Sequence, residues 1–403
     1  MSKRVLIISQ HFYPEIGSAG NRIKNIFHVL KTKGYTPTVL TIEPSYPNKN
    51  IYHNNPEFWD DEAFNDEERN TDHIIRIKVK SRRYAMSMLN RLFYYLKVVL
   101  KLILYVLFHK GRYHAIYVTS PPIFIAFAGL IAKYRYRTKM VLDIRDLWPE
   151  SLKGVGVFNH RFILAVFKRF EKFLYQKSDK IVVNSQGFIE YMEKHAGIDV
   201  SKIAFIPNSI REYELGSPKK DNETFKVIYA GNIGLAQDSS LLLDLAENLA
   251  KFNFRLDIIG YGVNKNKLMG EIEMLGLQNV HFINPLSRKQ CFALISQYDV
   301  GIMTLNNKQV FETVLPGKVI DYMACGVPIV AMASGFSKRI IEEARAGLCS
   351  ESYDVQDIIK PILYLHTHQH VRGEMGQNGL NYIRKHFLWE KNGQKLIDVI
   401  EAI

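Results

Sequence analysis

Hydrophobic and polar positions along this chain follow two alternating rhythms. Short, mostly apolar runs recur at residues 5–9, 34–41, 116–120, 139–144, 180–183 and 203–206, and again at 225–230, 255–259, 280–283, 298–304 and 327–330. Runs of this kind predict strands buried on both faces, as in a parallel sheet. Between them apolar residues return every third or fourth position, up to residue 32 and at 162–176, 239–252, 317–325 and 388–403, and that period predicts helices. Strand followed by helix, repeated through both halves, predicts an α/β protein of two Rossmann-like domains. The polar stretch 211–224, with Gly216, Ser217, Pro218, Lys219 and Lys220 in a row, predicts a hinge, so that one domain covers 1–210 and the next begins at 225.

One stretch departs from the alternation. Met86 to Phe108 is apolar enough to suggest a membrane span until Arg91, Lys97 and Lys101 are counted. Ser87, Asn90, Tyr94, Lys97, Lys101 and Tyr105 recur at three- and four-residue steps, which predicts a helix with a narrow polar stripe beside a broad apolar face. With Arg82, Arg83, Lys110 and Arg112 at its ends, residues 82–112 read as a segment lying on an anionic membrane surface. A helix buried in the first domain, with its stripe toward water, is the alternative. Just upstream, the polar segment 44–72 carries Glu57, Asp60, Asp61, Glu62, Asp66, Glu67, Glu68 and Asp72, and is expected to be a solvated loop rather than a metal site.

Charge sharpens this division. Residues 1–210 hold 32 Lys and Arg against 18 Asp and Glu, whereas residues 211–403 hold 21 against 22, so the whole basic excess sits in the first half. A basic half suits nucleic acid, an anionic membrane or a phosphorylated substrate; no nucleic-acid module is present in the sequence to favour the first. Cys291, Cys325 and Cys349 match no zinc spacing and are expected to be reduced thiols. Met1 to Arg4 leads into strand-like sequence without a signal peptide's cleavage site, which points to the cytoplasm.

Candidate chemistry concentrates at residues 311–330. Pro316 and Gly326 bracket a predicted helix whose free amides and dipole, with Lys318 in its first turn, suit a phosphate group at Gly317 and Lys318. Asp321, one turn on, is an acceptor of the kind that holds ribose hydroxyls. Taken alone, the stretch is also compatible with a surface helix leading into a core strand. Three other strands end in turns of the same kind: Gly17-Ser18 after the first, Gly231-Asn232-Ile233-Gly234 after the one at 225–230, and Gly260-Tyr261-Gly262 after the one at 255–259. None has the Gly-x-Gly-x-x-Gly spacing of a nicotinamide-cofactor site. Ser120, Arg145 and Asp146 fall at strand ends, where an open parallel sheet places its ligands. Arg145 and Asp146 are candidates to hold an acceptor or reacting sugar; a structural salt bridge is the competing account.

The run from Phe311 to Val330 resembles the donor-binding motif of family 4 glycosyltransferases, retaining enzymes of the GT-B fold, in which Glu, seven residues and a second Glu precede Met-Ala-x-Gly-x-Pro-Val-Val. Here the second carboxylate is Asp321; eight positions earlier stands Thr313, with Glu312 beside it. Thr119-Ser120-Pro121-Pro122 together with Arg145-Asp146-Leu147-Trp148-Pro149-Glu150-Ser151 is similar to a subgroup that builds capsule and O-antigen repeat units. The resemblance implies two Rossmann-like domains facing each other across a cleft, a C-terminal domain over 225–387 that binds a nucleotide sugar, and a helix at 388–403 that returns to the N-terminal domain.

It further implies a UDP-linked N-acetylhexosamine or deoxyhexosamine as donor, a polyprenyl-diphosphate-linked saccharide as acceptor, no metal, and a peripheral place on the inner face of the membrane. Gly17 and Ser18 would face the donor diphosphate, and Pro285 and Leu286 would give the base backbone contacts. Where relatives carry an Arg and a Lys on the first loop of the second domain, this chain has Asn232 and Gln237, so Lys318, joined by Arg211 or Arg288, is expected to carry the diphosphate. Lys318, Asp146, Arg145 and Glu312 are the catalytic candidates. A GT-B sugar-nucleotide epimerase, which needs no acceptor, is the rival reading.

Overall fold

The computed structural model describes residues 3–61, 64, 73–79, 88–156, 161–216, 224–237 and 239–403. Glu62, Asp66, Glu67, Glu68, Asp72, Arg82, Arg83, Ser87 and Ser217 to Lys220 lie outside the described residues, as does Met86. Contacts divide the chain into one unit of Met1–Pro207 with Lys391–Ile403 and a second of Asn208–Glu390.

The first unit is built on seven parallel strands: β1 (Arg4–Ile8), β2 (Thr36–Ile42), β3 (Ile74–Ile77), β4 (Ala115–Ser120), β5 (Lys139–Ile144), β6 (Lys180–Val183) and β7 (Ile203–Phe205). Their order is β3-β2-β1-β4-β5-β6-β7. Central strands such as Ala115–Ser120 are buried at every position, which is why they read as unbroken apolar runs. Strand β3 was hidden from sequence reasoning because Arg76 interrupts its apolar run; the guanidinium is covered by the rings of Phe12 and Trp59, each 5.5 Å away.

Helices α1 (Ser18–Thr32), α2 (Met88–Phe108), α3 (Ile123–Tyr136) and α4 (Arg161–Lys177) cross between strands. Buried Arg22 of α1 binds Asp143 of β5 through Nε and Nη2, at 2.9 Å to each oxygen. The segment 44–61 is not a solvated loop: Lys49–Asn54 is helical, Tyr52 and Phe58 are buried, and Asp61 pairs with Lys24. The apolar residues that alternate with its carboxylates hold it down.

Helix α2 forms as its period predicts, but its stripe does not all face water. Tyr94 is buried with its hydroxyl 3.3 Å from Ser45 Oγ, and Val98, Val99, Leu102 and Val106 are buried with it. The outer face shows Phe93, Leu96, Leu100, Leu104, Leu107 and Phe108 together with exposed Lys97 and Lys101. No helix among the described residues is long and apolar enough to cross a membrane.

The second unit repeats the plan with six parallel strands: β8 (Lys226–Asn232), β9 (Arg255–Tyr261), β10 (Val280–Ile283), β11 (Val300–Thr304), β12 (Ile329–Met332) and β13 (Gly347–Ser350), in the order β10-β9-β8-β11-β12-β13. Helix α5 (Ser239–Ala250) supplies Leu241, Leu242, Leu245 and Leu249 to the core under β8 and β9. Helices α6 (Arg288–Ile295) and α7 (Gly317–Ala324) flank the candidate site, and α8 (Trp389–Glu401) ends the chain. Within the first unit, Glu401 of α8 accepts from Tyr35 at 2.7 Å and pairs with Lys3 at 3.0 Å.

Candidate functional site

Chain order reverses between β8 and β11, and ligands of open parallel sheets collect beyond the carboxyl ends of strands at such a point. The two strands pair only at Val227 with Val300 and Ile228 with Gly301, then part. Tyr322 of α7 closes the gap: its hydroxyl accepts from Ala230 N at 2.7 Å and donates to Ile302 O at 3.2 Å. Gly301 makes room for it, because a Cβ there would lie 2.7 Å from the Tyr322 ring. One tyrosine thus fixes the start of α7 over the switch point.

At that start, Pro316 is the N-cap and no side chain caps the helix, so the amides of Gly317 and Lys318 are left over by helix geometry. Lys318 folds back over the strand ends. Its Nζ sits 3.7 Å from the centre of the Tyr229 ring, and a Cβ on Gly231 would lie 3.3 Å from its Cε. Gly231 also has φ 135°, which a side chain would strain. The Nζ is shut off from solvent and has no hydrogen-bond partner among the described residues. Burial pulls its pKa down to about 7.

The other cation of this corner is already matched. Arg288 bonds Glu214 through Nε, reaches Asp321 Oδ1 at 3.4 Å from both Nη atoms, and stacks on Phe292 at 4.3 Å. The backbone N–H of Arg211 donates to the second Glu214 oxygen at 2.9 Å. The expectation that Arg288 would help carry the diphosphate is therefore revised: two carboxylates neutralise it, and it orients Asp321 instead.

The glycine-rich turns pack around one another. A Cβ on Gly262 would lie 2.3 Å from Asn232 Oδ1, and one on Gly260 would lie 3.0 Å from Gly231 O. Gln237 accepts from Gly234 N at 3.1 Å, so its amide shapes the turn. Pro285 and Leu286 lie in the loop after β10, just before the Ser287 cap of α6. Glu312 is exposed in the turn Gln309–Thr313 and makes no hydrogen bond or ion pair through its side chain among the described residues. Thr313 donates to Val310 O at 2.7 Å.

In the first unit, exposed Gly17 and Ser18 open α1; Gly17 has φ 108° and no side chain caps the helix. Arg145 donates from Nη2 to Pro121 O at 2.8 Å and leaves Nε buried without a partner. Arg145 and Asp146 form no ion pair with each other among the described residues, although Arg145 feels the charges of buried Asp143 and of Asp146. Asp146, Glu171, Tyr175 and Trp148 line a small cavity beneath Ser120. Burial pushes Asp146 up to about 6 and Glu171 up to about 8. No group of His, Cys, Asp and Glu side chains able to hold a metal ion occurs among the described residues.

Sequence reasoning missed Tyr322, Tyr229 and Glu214. The first two look like ordinary core residues, and Glu214 lies in a stretch read as hinge. A Tyr one position after the motif carboxylate was the only available signal.

Residues 17–209 match the family described as glycosyl transferase 4-like domain, and residues 211–382 match glycosyl transferases group 1. The chain is 20% identical to an uncharacterized glycosyltransferase of Methanocaldococcus jannaschii over 68% of its length and 71% of the relative. It is 23% identical to the putative teichuronic acid biosynthesis glycosyltransferase TuaH of Bacillus subtilis, over 48% of this chain and 50% of that one. With chitobiosyldiphosphodolichol beta-mannosyltransferase of Candida albicans the identity is 24%, over 58% and 55%. The matched stretches thus span about half of the second and third relatives.

Among solved structures, sucrose-phosphate synthase from Thermosynechococcus elongatus superposes with TM-score 0.75 at 15% identity, over 99% of this chain and 98% of the other. Anabaena HepE in complex with UDP and glucose gives 0.69 at 16% over the full length of both. These likenesses show the GT-B fold.

Proposed function

The chain belongs to the group 1 glycosyltransferases, and from that premise we propose that it moves a sugar from a UDP-sugar to a polyprenyl-diphosphate-linked saccharide in polysaccharide assembly. The donor is proposed to be a UDP-linked N-acetylhexosamine or deoxyhexosamine, transferred with retention of configuration as the family 4 resemblance implies. The observation that carries the reading is the buried, unpartnered Nζ of Lys318 beside the open start of α7 at the switch point. A lone buried ammonium is costly unless an anion completes it, and a diphosphate would. As the bond from sugar to phosphate breaks, negative charge gathers on the leaving diphosphate. Lys318 and the amides of Gly317 and Lys318 would stabilise that charge more than the ground state. A cation already in place supplies what a divalent metal otherwise would, so turnover is expected to survive EDTA. Asp321, oriented by Arg288, would accept from the ribose hydroxyls.

The lipid-linked acceptor is supported by surface chemistry in the first unit. Exposed Leu96, Leu100, Leu104 and Phe93 of α2 and exposed Phe162, Val166, Phe170 and Phe173 of α4 flank α3, which packs on both helices. Lys97, Lys101, Arg169 and Lys172 lie among them. We propose that this face rests on an anionic bilayer.

Thermal melting against UDP, GDP, dTDP and UDP-sugars tests the donor. Stabilisation by UDP that vanishes in Lys318→Ala is expected, and no nucleotide response in the native protein would reject the site. Incubation with UDP-sugar alone separates the rival, since an epimerase would convert it without acceptor.

A further inference from the structure

Asp321 shares one arginine with a second carboxylate that no step of the proposed transfer needs. Arg288, at the start of α6, bonds Glu214 through Nε and turns Nη1 and Nη2 to one oxygen of Asp321, Oδ1, at 3.4 Å from each. The ring of Phe292 lies against the guanidinium at 4.3 Å. A guanidinium that faces a carboxylate alone takes both of its oxygens, one for each N–H. Here the Nε edge is spent on Glu214, and the contacts to Asp321 are long for hydrogen bonds. Asp321 Oδ2 makes no hydrogen bond among the described residues, and the Asp321 side chain is 31% exposed against 9% for Glu214.

Glu214 is held where it cannot release Arg288 freely. It sits on a strap, residues 210–216, fastened at both ends within the second unit. Ile210 N donates to Phe387 O at 2.8 Å, and Trp389 N donates to Ile210 O at 3.0 Å. At the other end Gly216 N donates to Ala324 O at 2.8 Å, and a Cβ on Gly216 would lie 3.2 Å from Cys325 Cα, so the strap rests directly on the end of α7. Between these anchors the second Glu214 oxygen accepts from Arg211 N at 2.9 Å. Helix α6 is fixed as well: Ser287 caps it, and Cys325 Sγ donates to Phe292 O at 3.7 Å. A sheltered ion pair returns little net stability; what this one fixes is the direction of the Arg288 fork.

We propose that Glu214, acting through Arg288, sets the selectivity of the nucleotide site for ribose over deoxyribose: by holding the guanidinium to Oδ1 it keeps Asp321 Oδ2 open for the 2′-hydroxyl of the donor nucleotide. The inference rests on the reading of Asp321 as the ribose acceptor. The ligand class is a ribonucleoside diphosphate. Its 2′-deoxy counterpart leaves Oδ2 desolvated without a donor, and a site built to receive a hydroxyl discriminates against an analogue that lacks it. Lys318 and Asp321, three residues apart on α7, share a helix face, so the phosphates and the sugar of one nucleotide can reach both. Asp321 is the contact. Glu214 and Arg288 are positioning residues, since neither touches the nucleotide.

Titration calorimetry of the full chain with UDP and with 2′-deoxy-UDP, which differ by that one hydroxyl, reads the selectivity as a ratio of Kd values. The native protein should bind UDP about ten-fold or more tightly than 2′-deoxy-UDP, the worth of a hydrogen bond to a charged acceptor. In Glu214→Ala the freed fork should close on both Asp321 oxygens, so that UDP weakens, 2′-deoxy-UDP changes little and the ratio falls toward unity. Glu214→Gln, whose amide oxygen still accepts from Nε, should keep most of the ratio. A mere brace would weaken both nucleotides alike, so a native ratio in Glu214→Ala overturns the proposal. Should that variant not fold, Glu214→Asp, whose carboxylate stops one methylene short of Nε, gives the same reading: a lowered ratio supports the clamp and a native one overturns it. Equal binding of the two nucleotides by the native protein overturns this proposal alone, whereas a native protein that binds neither overturns the donor reading and the proposal with it.

Discussion

A buried ammonium without a partner works against folding, and Lys318 keeps one. Its pKa of about 7 lies below the ordinary 10.5, so between those values the unfolded chain holds a proton that the folded chain has released. Stability of the free protein therefore rises with pH across that window. Lys318→Met should raise the melting temperature at pH 7 while erasing the response to UDP, as read by thermal melts with and without nucleotide. Lys318→Ala should cut turnover by about two orders of magnitude. Because a bound diphosphate favours the charged amine, UDP binding at pH 8 should take up a proton in native protein and not in Lys318→Met. Calorimetry in two buffers of different ionisation enthalpy reads this directly. Lys318 was legible in the sequence because it follows Pro316-Gly317 at a helix start. Its missing partner was not, since the chain around it says nothing about which carboxylates turn toward Arg288 instead.

At the scale of elements, two contacts decide how strands and helices are held. Tyr322 joins α7 to both β8 and β11, so Tyr322→Phe leaves Ala230 N and Ile302 O without that hydroxyl. The expected cost is about 1–3 kcal/mol, seen as a lower denaturant midpoint at unchanged slope and a weaker UDP response. Glu171 of α4 lines the cavity beside Asp146 and accepts from Tyr175 of the same helix at 2.6 Å. Its pKa is raised from 4.5 to about 8, so the folded chain keeps a proton that the unfolded chain loses, and the contribution falls as pH rises through that range. Glu171→Gln should therefore stabilise at pH 8 and change little at pH 4, by thermal melting. Helix α2 shows how far periodicity reaches. The period predicts the helix, yet Tyr94 turns inward to Ser45 while leucines turn outward, because a helix packed on one side must choose a face and the choice depends on what lies beneath it.

At the scale of the molecule, the basic excess of residues 1–210 and the exposed apolar faces of α2 and α4 belong to the same unit. Vesicle binding should therefore follow that unit, need anionic lipid, weaken with salt as surface charges are screened, and fall sharply when Lys97 and Lys101 become Glu. Cosedimentation at low and high salt checks it, and unchanged binding of the double variant would remove the membrane role. The alternation of apolar runs and helical periods, the division into two parallel-sheet units and the neighbourhood of Lys318 and Asp321 were determined by the sequence by itself. Each depends on burial or chain direction within a few turns of backbone, and local pattern records those. The pairing of Glu214 with Arg288 and the tyrosine that bridges β8 and β11 were decided only by tertiary structure. They join strand ends and loops that the sheet order, not the residue order, makes neighbours.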